Sequence, residues 1–266
     1  SSLADANQFR KVADIIHADE ARCYVVPSAP GKRFSDDIKV TDMLYSCYDA
    51  VQNGEDFEKS FAGIKERFNG IITDLGLTLD LSEEFEKIGV NFKAAAGREY
   101  AASRGEYLNG IILANFLGFD FIDAAKAIFF TNKGNFDDDI TNACLGAMLD
   151  KTEKAVIPGF YGAMPDGTIK TFSRGGSDFT GSVVAKAAQA DMYENWTDVS
   201  GMLVADPRIV ENPAGISIIT YSELRELSYM GASVLHEDAV FPVRSAGIPI
   251  NIKNTNAPED AGTLIV

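Results

Sequence analysis

The sequence is poor in the residues that build metal centres, disulfide frameworks and membrane spans. Its 266 residues include three cysteines and two histidines. Cys23, Cys47 and Cys144 lie far apart, with no Cys-x-x-Cys or Cys/His spacing, which argues against a zinc site or disulfides and favours a reducing cytoplasm. His17 and His236 share no metal motif, and we expect neither to act directly in catalysis. No apolar run approaches the ~20 residues that a membrane-spanning helix needs, and no signal-peptide pattern is present.

Positive charge is also scarce. The chain has 24 lysines and arginines against 39 aspartates and glutamates, a formal net charge of −15. Such acidity argues against binding to nucleic acid, which needs a positive surface. It does not exclude an anionic substrate, because a single arginine can dominate a pocket. The apolar fraction of 46% is sufficient for a sizeable core. We therefore expect a cytoplasmic globular protein that binds neither nucleic acid nor membranes.

The most informative segment present is glycine-rich and spans residues 172–181, Phe-Ser-Arg-Gly-Gly-Ser-Asp-Phe-Thr-Gly. Its glycines let backbone N–H groups face a ligand, and the positive end of the helix expected after it suits an anion. The spacing matches neither the dinucleotide-binding glycine pattern nor the P-loop. An ordinary glycine turn capped by Ser177 or Asp178 would account for the same letters. The segment is therefore either a binding site for a phosphate or carboxylate or an ordinary glycine turn.

The remaining pattern alternates strands with helices. A short buried strand is predicted at 23–26, mostly helical sequence over 40–118, a strand at 125–130 and a helix at 180–190. A further helix over 221–230 is expected to have Ser222 as its N-cap, and the aspartates at 137–139 are better suited to cap a helix than to bind a metal. Such alternation predicts an α/β fold with helices on both faces of the sheet and ligands near the strand ends.

Seven short motifs occur in order along the chain, and their combination is far more specific than any one of them. They are Ser28-Ala29, Lys39–Leu44, Ala102–Glu106, Arg174–Asp178, Trp196–Val199, Ala205–Arg208 and Gly231–His236. Together they resemble the catalytic domain of aspartokinases, within the amino-acid kinase superfamily. The resemblance covers essentially the whole chain.

The resemblance implies both a fold and a reaction. The fold would be a three-layer α/β/α sandwich with a mainly parallel central sheet, as in carbamate kinase-like proteins. An aspartate-binding lobe would occupy about residues 1–150 and a nucleotide-binding lobe about residues 151–266. The reaction would transfer the γ-phosphoryl group of ATP, with Mg²⁺ bound to it, to the side-chain carboxylate of L-aspartate. The product, 4-phospho-L-aspartate, begins lysine, threonine and methionine biosynthesis. The full-length protein would be a homo-oligomer, a dimer or larger.

The resemblance also assigns site residues by their position in the motifs. Catalysis would involve Gly175, Gly176, Ser177 and Asp178. L-Aspartate would be bound by Thr41, Glu106, Arg174 and Ser177. The nucleotide would be bound by Thr197, Asp198, Leu203, Arg208, Ser233 and Val234. These roles fit the chemistry, since an arginine fork suits the α-carboxylate and an acidic side chain suits the amino group. Glu106 could instead only cap a helix, and Trp196 suits the core better than an adenine platform.

Three features separate this chain from the family pattern. Aspartokinases carry Lys-Phe-Gly-Gly on a strand directly before the residues that match Ser1-Ser2, and paired regulatory ACT domains after the residue that matches Val266. Neither is within these 266 residues, so we expect them outside the sequence analysed. Ser233 also stands where many members have a second nucleotide-site lysine.

Three functional classes therefore stay open on the sequence. The first is an aspartate kinase. The second is a kinase of another acceptor, such as glutamate, N-acetylglutamate or a nucleotide, which the Ser-Arg-Gly-Glu and Arg-Gly-Gly-Ser-Asp motifs argue against. The third, favoured by the missing lysine of Lys-Phe-Gly-Gly and by Ser233, is a module that binds a nucleotide or an amino acid without turnover.

Overall fold

The computed structural model describes residues 3–173, 175–205, 209–229, 235 and 237–266. The α-helices of these ranges are α1 (Ala6–His17), α2 (Val40–Gln52), α3 (Glu58–Leu75), α4 (Ser82–Lys93), α5 (Arg98–Leu117), α6 (Asp138–Leu149), α7 (Gly176–Ala187), α8 (Tyr221–Tyr229) and α9 (Glu237–Ala246). The strands are β1 (Tyr24–Val25), β2 (Asp120–Phe121), β3 (Ala155–Val156), β4 (Tyr161–Ala163), β5 (Ile169–Thr171), β6 (Tyr193–Thr197), β7 (Met202–Leu203), β8 (Gly215–Ile216), β9 (Ile218–Ile219), β10 (Ile250–Asn254) and β11 (Thr263–Ile265).

The strands confirm an α/β fold in which parallel pairing dominates the larger sheets. One sheet has the order β1-β3-β2 and is parallel throughout. The other has the order β6-β10-β11-β9, in which only β10 and β11 run antiparallel. Two antiparallel hairpins, β4-β5 and β7-β8, are added to these. In the described residues β1 and β6 are edge strands of the two larger sheets, and residues of both strands line the same cavity.

Three apolar clusters form the core. The first packs helices α1–α5 around Phe61, Phe68 and Leu108, and the second fills the space between β6, β10, α8 and α9 around Ile250 and Val243. The third combines residues from 124 to 184 and so includes both sides of position 150. The two-lobe division therefore stays a prediction. No helix in the described ranges is long and apolar enough to cross a membrane.

Helix α5 lies at the centre of the first cluster because small and aliphatic side chains alternate around its whole circumference. Ala101, Leu108, Ile112 and Leu113 are all buried. A side chain at Gly105 would lie 2.8 Å from the Ala29 Cβ atom, so only glycine allows the segment after β1 to approach this helix so closely. That approach sets the position of the adjacent Glu106.

Three local expectations are wrong. Residues 125–130 do not form a strand; Ala124–Lys126 is a 3-10 turn whose start is capped by the Asp123 side chain, and only isolated bridges follow. Helix α7 begins at Gly176, not at Thr180, whose hydroxyl donates to the Gly176 carbonyl inside the first turn. The cap of α8 is Thr220, not Ser222: the Thr220 hydroxyl accepts from the Glu223 N–H while the Glu223 carboxylate accepts from the Thr220 N–H. The Asp137 cap of α6 is confirmed, since its carboxylate accepts from the Ile140 N–H.

Candidate active site

The predicted site residues converge on a cavity of about 900 Å³ between β1 and β6. Six of them line it: Thr41, Glu106, Ser177, Asp178, Thr197 and Asp198. They come from four separate parts of the chain, namely the start of α2, the middle of α5, the first turn of α7 and the end of β6. Residues this distant in sequence have no local reason to meet, so their convergence is a property of the fold.

The other predicted site residues that the structure describes are not among those that line the cavity. Gly175 and Gly176 begin α7 immediately before Ser177. Leu203 lies on β7, is 42% exposed and is not among the residues that line the cavity. Arg174, Arg208, Ser233 and Val234 lie outside the described residues. The assignments to the nucleotide or to aspartate stay predictions for all of them.

Glu106 is a buried acidic residue that lines the cavity. The residue is 6% exposed, and no group in the described ranges hydrogen-bonds its Oε2 atom. Burial raises the pKa of Glu106 to about 8, although the backbone amides of Glu106 and Ala29 and the charge of Arg104 favour its ionised form. A buried carboxyl with an unused oxygen is costly to fold, so its position in a cavity indicates that a ligand supplies the missing partner.

Arg104, two residues before Glu106, fixes the opposite side of α5. Its guanidinium carbon lies 4.7, 4.4 and 5.2 Å from the ring centroids of Tyr100, Tyr107 and Tyr161. Its Nε and one terminal nitrogen donate to the Ser103 hydroxyl at 3.1 and 2.9 Å. Because Arg104 is packed among three rings, rotation of α5 that would move Glu106 away from the cavity is opposed.

The segment between β1 and α2 positions Thr41 and is held by a buried ion cluster. Arg67 of α3 donates to the Asp37 carboxylate at 2.8 Å and to the carbonyls of Gly31 at 2.7 Å and Ala4 at 2.9 Å. Arg33 makes two further contacts with Asp37, both 2.8 Å long. Hydrogen bonds from Arg33, together with Arg67, hold the pKa of Asp37 far below its usual range despite burial. The segment is therefore fixed before any ligand binds.

The first turn of α7 lies at the cavity. Gly175 is the N-cap with a left-handed φ of 63°, a conformation that glycine adopts without strain, and a glycine has no side chain of its own with which to cap the N–H groups that follow. The first N–H groups of a helix and the positive end of its dipole favour a carboxylate or phosphate at this point. Ser177 adds a hydroxyl within the same cavity.

Sequence analysis missed an aromatic cluster and a strained residue around this turn. Phe172 and Phe179 lie on either side of Gly175-Gly176 in the glycine-rich segment, with ring centroids 4.6 Å apart, and Phe136 packs on both at 5.8 and 5.1 Å. Phe160 has a φ of 81°, unusual for a bulky side chain, and its N–H donates to the Thr180 hydroxyl while its carbonyl accepts from Phe172. The repeated phenylalanines of 172–179 were the available sequence signal for the cluster; nothing in the sequence indicated the φ of Phe160.

The end of β6 forms the other wall. The Thr197 hydroxyl donates to Asp198 at 3.3 Å, and its carbonyl accepts from the Thr255 N–H. Trp196 is half-buried and lines the cavity, with its indole N–H on Glu194 at 3.0 Å. Arg22 and Lys253 each lie 5.4 Å from its ring centroid. Trp196 is thus already engaged by two cations, which agrees better with a packing role than with a free adenine platform.

The chain is similar to several known proteins of one family. The family model described as "Amino acid kinase family" matches residues 1–254. Aspartokinase 3 of Bacillus subtilis is 37% identical over 282 residues, covering 100% of this chain and 62% of that protein. The crystal structure of Clostridium acetobutylicum aspartate kinase has a TM-score of 0.94 and 55% identity, covering 100% of this chain and 60% of that one.

A further solved structure is that of Escherichia coli aspartokinase III in complex with aspartate and ADP. It has a TM-score of 0.85 and 27% identity, and the match covers 99% of this chain and 62% of that one. The chain therefore spans about 60% of the length of these relatives, all of which it matches over nearly its own full length. On the family model, the chain belongs to the amino acid kinase family.

Proposed function

We propose that this chain is the catalytic region of an aspartate kinase, which transfers the γ-phosphoryl group of ATP to the side-chain carboxylate of L-aspartate. The observation that carries the proposal is Glu106, a buried carboxyl whose Oε2 atom has no hydrogen-bond partner among the described residues, in the same cavity as the first turn of α7. An acidic group and an anion site in one cavity fit the ammonium and the carboxylates of a free amino acid. The relatives named above, aspartokinases and an aspartate kinase, support that choice of amino acid.

The reaction needs alignment and charge neutralisation more than proton transfer. A carboxylate oxygen of aspartate forms a bond to the γ-phosphorus while the bond from that phosphorus to the β–γ bridging oxygen breaks, and ADP leaves with the electron pair. The nucleophile is already ionised at neutral pH, so no general base is required. Mg²⁺ would arrive bound to the ATP phosphates and reduce their charge.

The chain's own residues would provide the binding contacts. Glu106 would accept hydrogen bonds from the substrate ammonium. Thr41, Ser177 and Arg174 would contact the substrate, with Arg174 on the α-carboxylate. On the nucleotide side, the end of β6 is the structural element that lies in the cavity. By motif position we assign it, with Leu203, Arg208, Ser233 and Val234, to ADP and ATP. That E. coli aspartokinase III was solved with ADP and aspartate supports nucleotide binding in this family.

The test is to trap the acyl phosphate with hydroxylamine, using L-aspartate and MgATP and the protein expressed from its complete reading frame. Aspartyl hydroxamate is expected, with none from L-glutamate or N-acetyl-L-glutamate and none from Glu106→Ala. Hydroxamate from glutamate instead would move the assignment to another amino-acid kinase. Calorimetric binding of ATP and aspartate without release of ADP would support a module without turnover. A cytoplasmic location and a homo-oligomeric state belong to the same proposal, and light scattering would measure the latter.

A further inference from the structure

Asp178 is held by two residues of β6 that the family motifs do not include. The Asn195 side-chain amide donates to the Asp178 Oδ1 atom at 3.0 Å and to the Tyr193 hydroxyl oxygen at 3.0 Å. The Tyr193 hydroxyl in turn donates to the Asp178 backbone carbonyl at 3.2 Å. One aspartate is thereby fixed both at its side chain and at its backbone.

The strand geometry explains why these two residues act together. Positions 193 and 195 are two apart on β6, so both side chains leave the same face of the strand, which is the face that packs against α7. The register is fixed by β10, where Ile250 and Ile252 pair with Tyr193 and Asn195. A slip of one residue would turn both side chains away from Asp178.

The chemistry of the network allows one arrangement only. Both amide hydrogens of Asn195 are used, and the reversed amide would place its carbonyl oxygen against a carboxylate. Burial, reinforced by the charge of Asp178, raises the pKa of Tyr193 well above its usual range, so the hydroxyl keeps its proton and remains a donor. Asn195 is 8% exposed, so water does not compete freely for these bonds.

Close approach of the tyrosine depends on a glycine in α7. A Cβ atom at position 181 would lie 2.5 Å from the Tyr193 hydroxyl oxygen, so any side chain there would displace the tyrosine. Gly181, Tyr193, Asn195 and Asp178 therefore form a set whose members depend on one another. We call it the Asp178 network.

We propose that Asn195 and Tyr193 are positioning residues that align the first turn of α7 with the end of β6 during phosphoryl transfer. The inference rests on the proposed function, in which Ser177 contacts aspartate and Thr197 contacts the nucleotide. Ser177 precedes Asp178 by one residue, and Thr197 follows Asn195 by two, so the network joins the two substrate-binding elements directly. In-line transfer requires both substrates in register, and small misalignment reduces the rate more than the binding of either substrate.

The main test is Asn195→Leu, which keeps the branched shape of the side chain and removes the donor. The variant is made in the protein expressed from its complete reading frame. We expect kcat in the hydroxamate assay to fall by about 10- to 100-fold, the effect of removing one hydrogen bond to a charged group, with both KM values within about threefold of wild type. An unchanged kcat in the folded variant would overturn the proposal. A loss confined to the KM for aspartate would overturn it too, because that is the effect of a lost binding contact.

Tyr221→Phe provides a matched control for Tyr193→Phe. Both tyrosines pack against the same apolar cluster and donate to a backbone carbonyl, that of Ile248 in the case of Tyr221, but Tyr221 does not touch Asp178. We expect Tyr193→Phe to lower kcat about fivefold and Tyr221→Phe to change it less than twofold, with similar losses of stability. Equal effects of the two changes on kcat would contradict a positioning role.

A measurement without substrate separates this proposal from the proposed function. In a double-mutant cycle of Asn195→Leu and Asp178→Ala, the unfolding equilibrium constants should deviate from additivity by about fivefold or more. If the wild type makes no aspartyl hydroxamate, the proposed function fails while this coupling still tests the network. Additive effects on unfolding would show that the network does not exist in solution.

Discussion

Replacing Glu106 with glutamine should stabilise the ligand-free protein while removing its ability to bind aspartate. Glutamine keeps the shape of the side chain but cannot ionise. Glu106 is 6% exposed, and no group in the described residues hydrogen-bonds its Oε2 atom, so the folded protein strongly favours the protonated form. The variant is therefore relieved of the cost that the wild type bears at neutral pH, where a carboxyl that is ionised in the unfolded chain must take up a proton when the protein folds.

The magnitude follows from the change in pKa between the unfolded and folded states. Burial raises the pKa of Glu106 from 4.5 to about 8. A group that binds its proton more tightly in the folded state contributes fully to stability below pH 4.5 and loses that contribution as the pH rises towards 8. Linkage gives a destabilisation of about 1 kcal/mol at pH 5, about 3 kcal/mol at pH 7 and about 5 kcal/mol above pH 8. Glu106→Gln should recover about these amounts.

The assay is thermal unfolding of wild type and variant between pH 5 and pH 9 without ligands. For a chain of this size about 3 kcal/mol corresponds to roughly 6 °C or more, so Glu106→Gln should unfold at a clearly higher temperature at pH 7, and the difference should shrink towards pH 5. Calorimetry should detect no aspartate binding to the same variant, because a neutral amide attracts an ammonium far less than a carboxylate does.

Glu84 provides a control of opposite sign on the neighbouring helix α4. Burial disfavours its charge, but hydrogen bonds from Lys87 and Tyr107 outweigh burial and lower the pKa of Glu84. Glu84→Gln should therefore destabilise the protein at pH 7, by about 1 kcal/mol, and the loss should diminish as acid protonates the wild-type carboxyl. If Glu106→Gln were instead less stable than wild type at pH 8, or shifted the unfolding temperature equally at every pH, the Oε2 atom would have a partner that stabilises its charge and our reasoning would be wrong.

Further predictions concern the same cavity and the elements that hold it. The affinity of the wild type for aspartate should increase about tenfold per pH unit between pH 6 and 7.5 and level off above pH 8. Calorimetry in two buffers should show the release of about one proton per aspartate bound at pH 7, and Glu106→Asp should retain part of this release. Arg67→Met should cost about 3 kcal/mol or more in urea unfolding, because Asp37 and two carbonyls lose a buried donor, whereas Glu66→Gln, exposed on the same helix, should cost almost nothing. Phe136→Ala should raise the KM for aspartate more than the KM for MgATP in steady-state kinetics, because the Phe136 ring packs on Phe172 and Phe179 of the glycine-rich segment. Equal changes of the two KM values would contradict this.

Sequence patterns predicted the fold class well and the local boundaries less well, for identifiable reasons. The alternation of strands and helices survives small errors of register, which is why the α/β class is confirmed. The strand expected at 125–130 fails because Ala-Ile-Phe-Phe has the composition of a buried strand, whereas the Asp123 cap favours a tight turn. The cap of α8 was available in the sequence, because Thr220 and Glu223 have the spacing of a capping box and Ser222 does not.

Sequence patterns likewise predicted some features of the candidate site and missed others. Motif order alone was sufficient to select Thr41, Glu106 and Ser177, which the fold brings to one cavity. Nothing in the sequence indicates that the Glu106 Oε2 atom has no hydrogen-bond partner among the described residues, or that Asn195 contacts Asp178. Both depend on how α5 and α7 pack against segments far away in the chain. Asn195 in particular is an ordinary polar residue of a half-buried strand until its distance to Asp178 is known.

The charges around the cavity explain why the proposed reaction would depend on positive charges other than those of the described lining residues. Among the described residues that line it, six are acidic and two are basic: Asp19, Glu106, Asp178, Asp191, Glu194 and Asp198 against Arg22 and Lys39. Arg22 is already paired with Glu194 at 2.7 Å. In the proposed reaction such a lining would repel both ATP and aspartate, so we expect their binding to depend on the α7 dipole, on the arginines predicted to contact the ligands at 174 and 208, and on Mg²⁺ bound to the phosphates. The proton on Glu106 at neutral pH has the same effect, because it removes one negative charge until an ammonium arrives to compensate for it. The order of events that follows is specific: nucleotide binding should be nearly independent of Glu106, whereas aspartate binding should require its deprotonation.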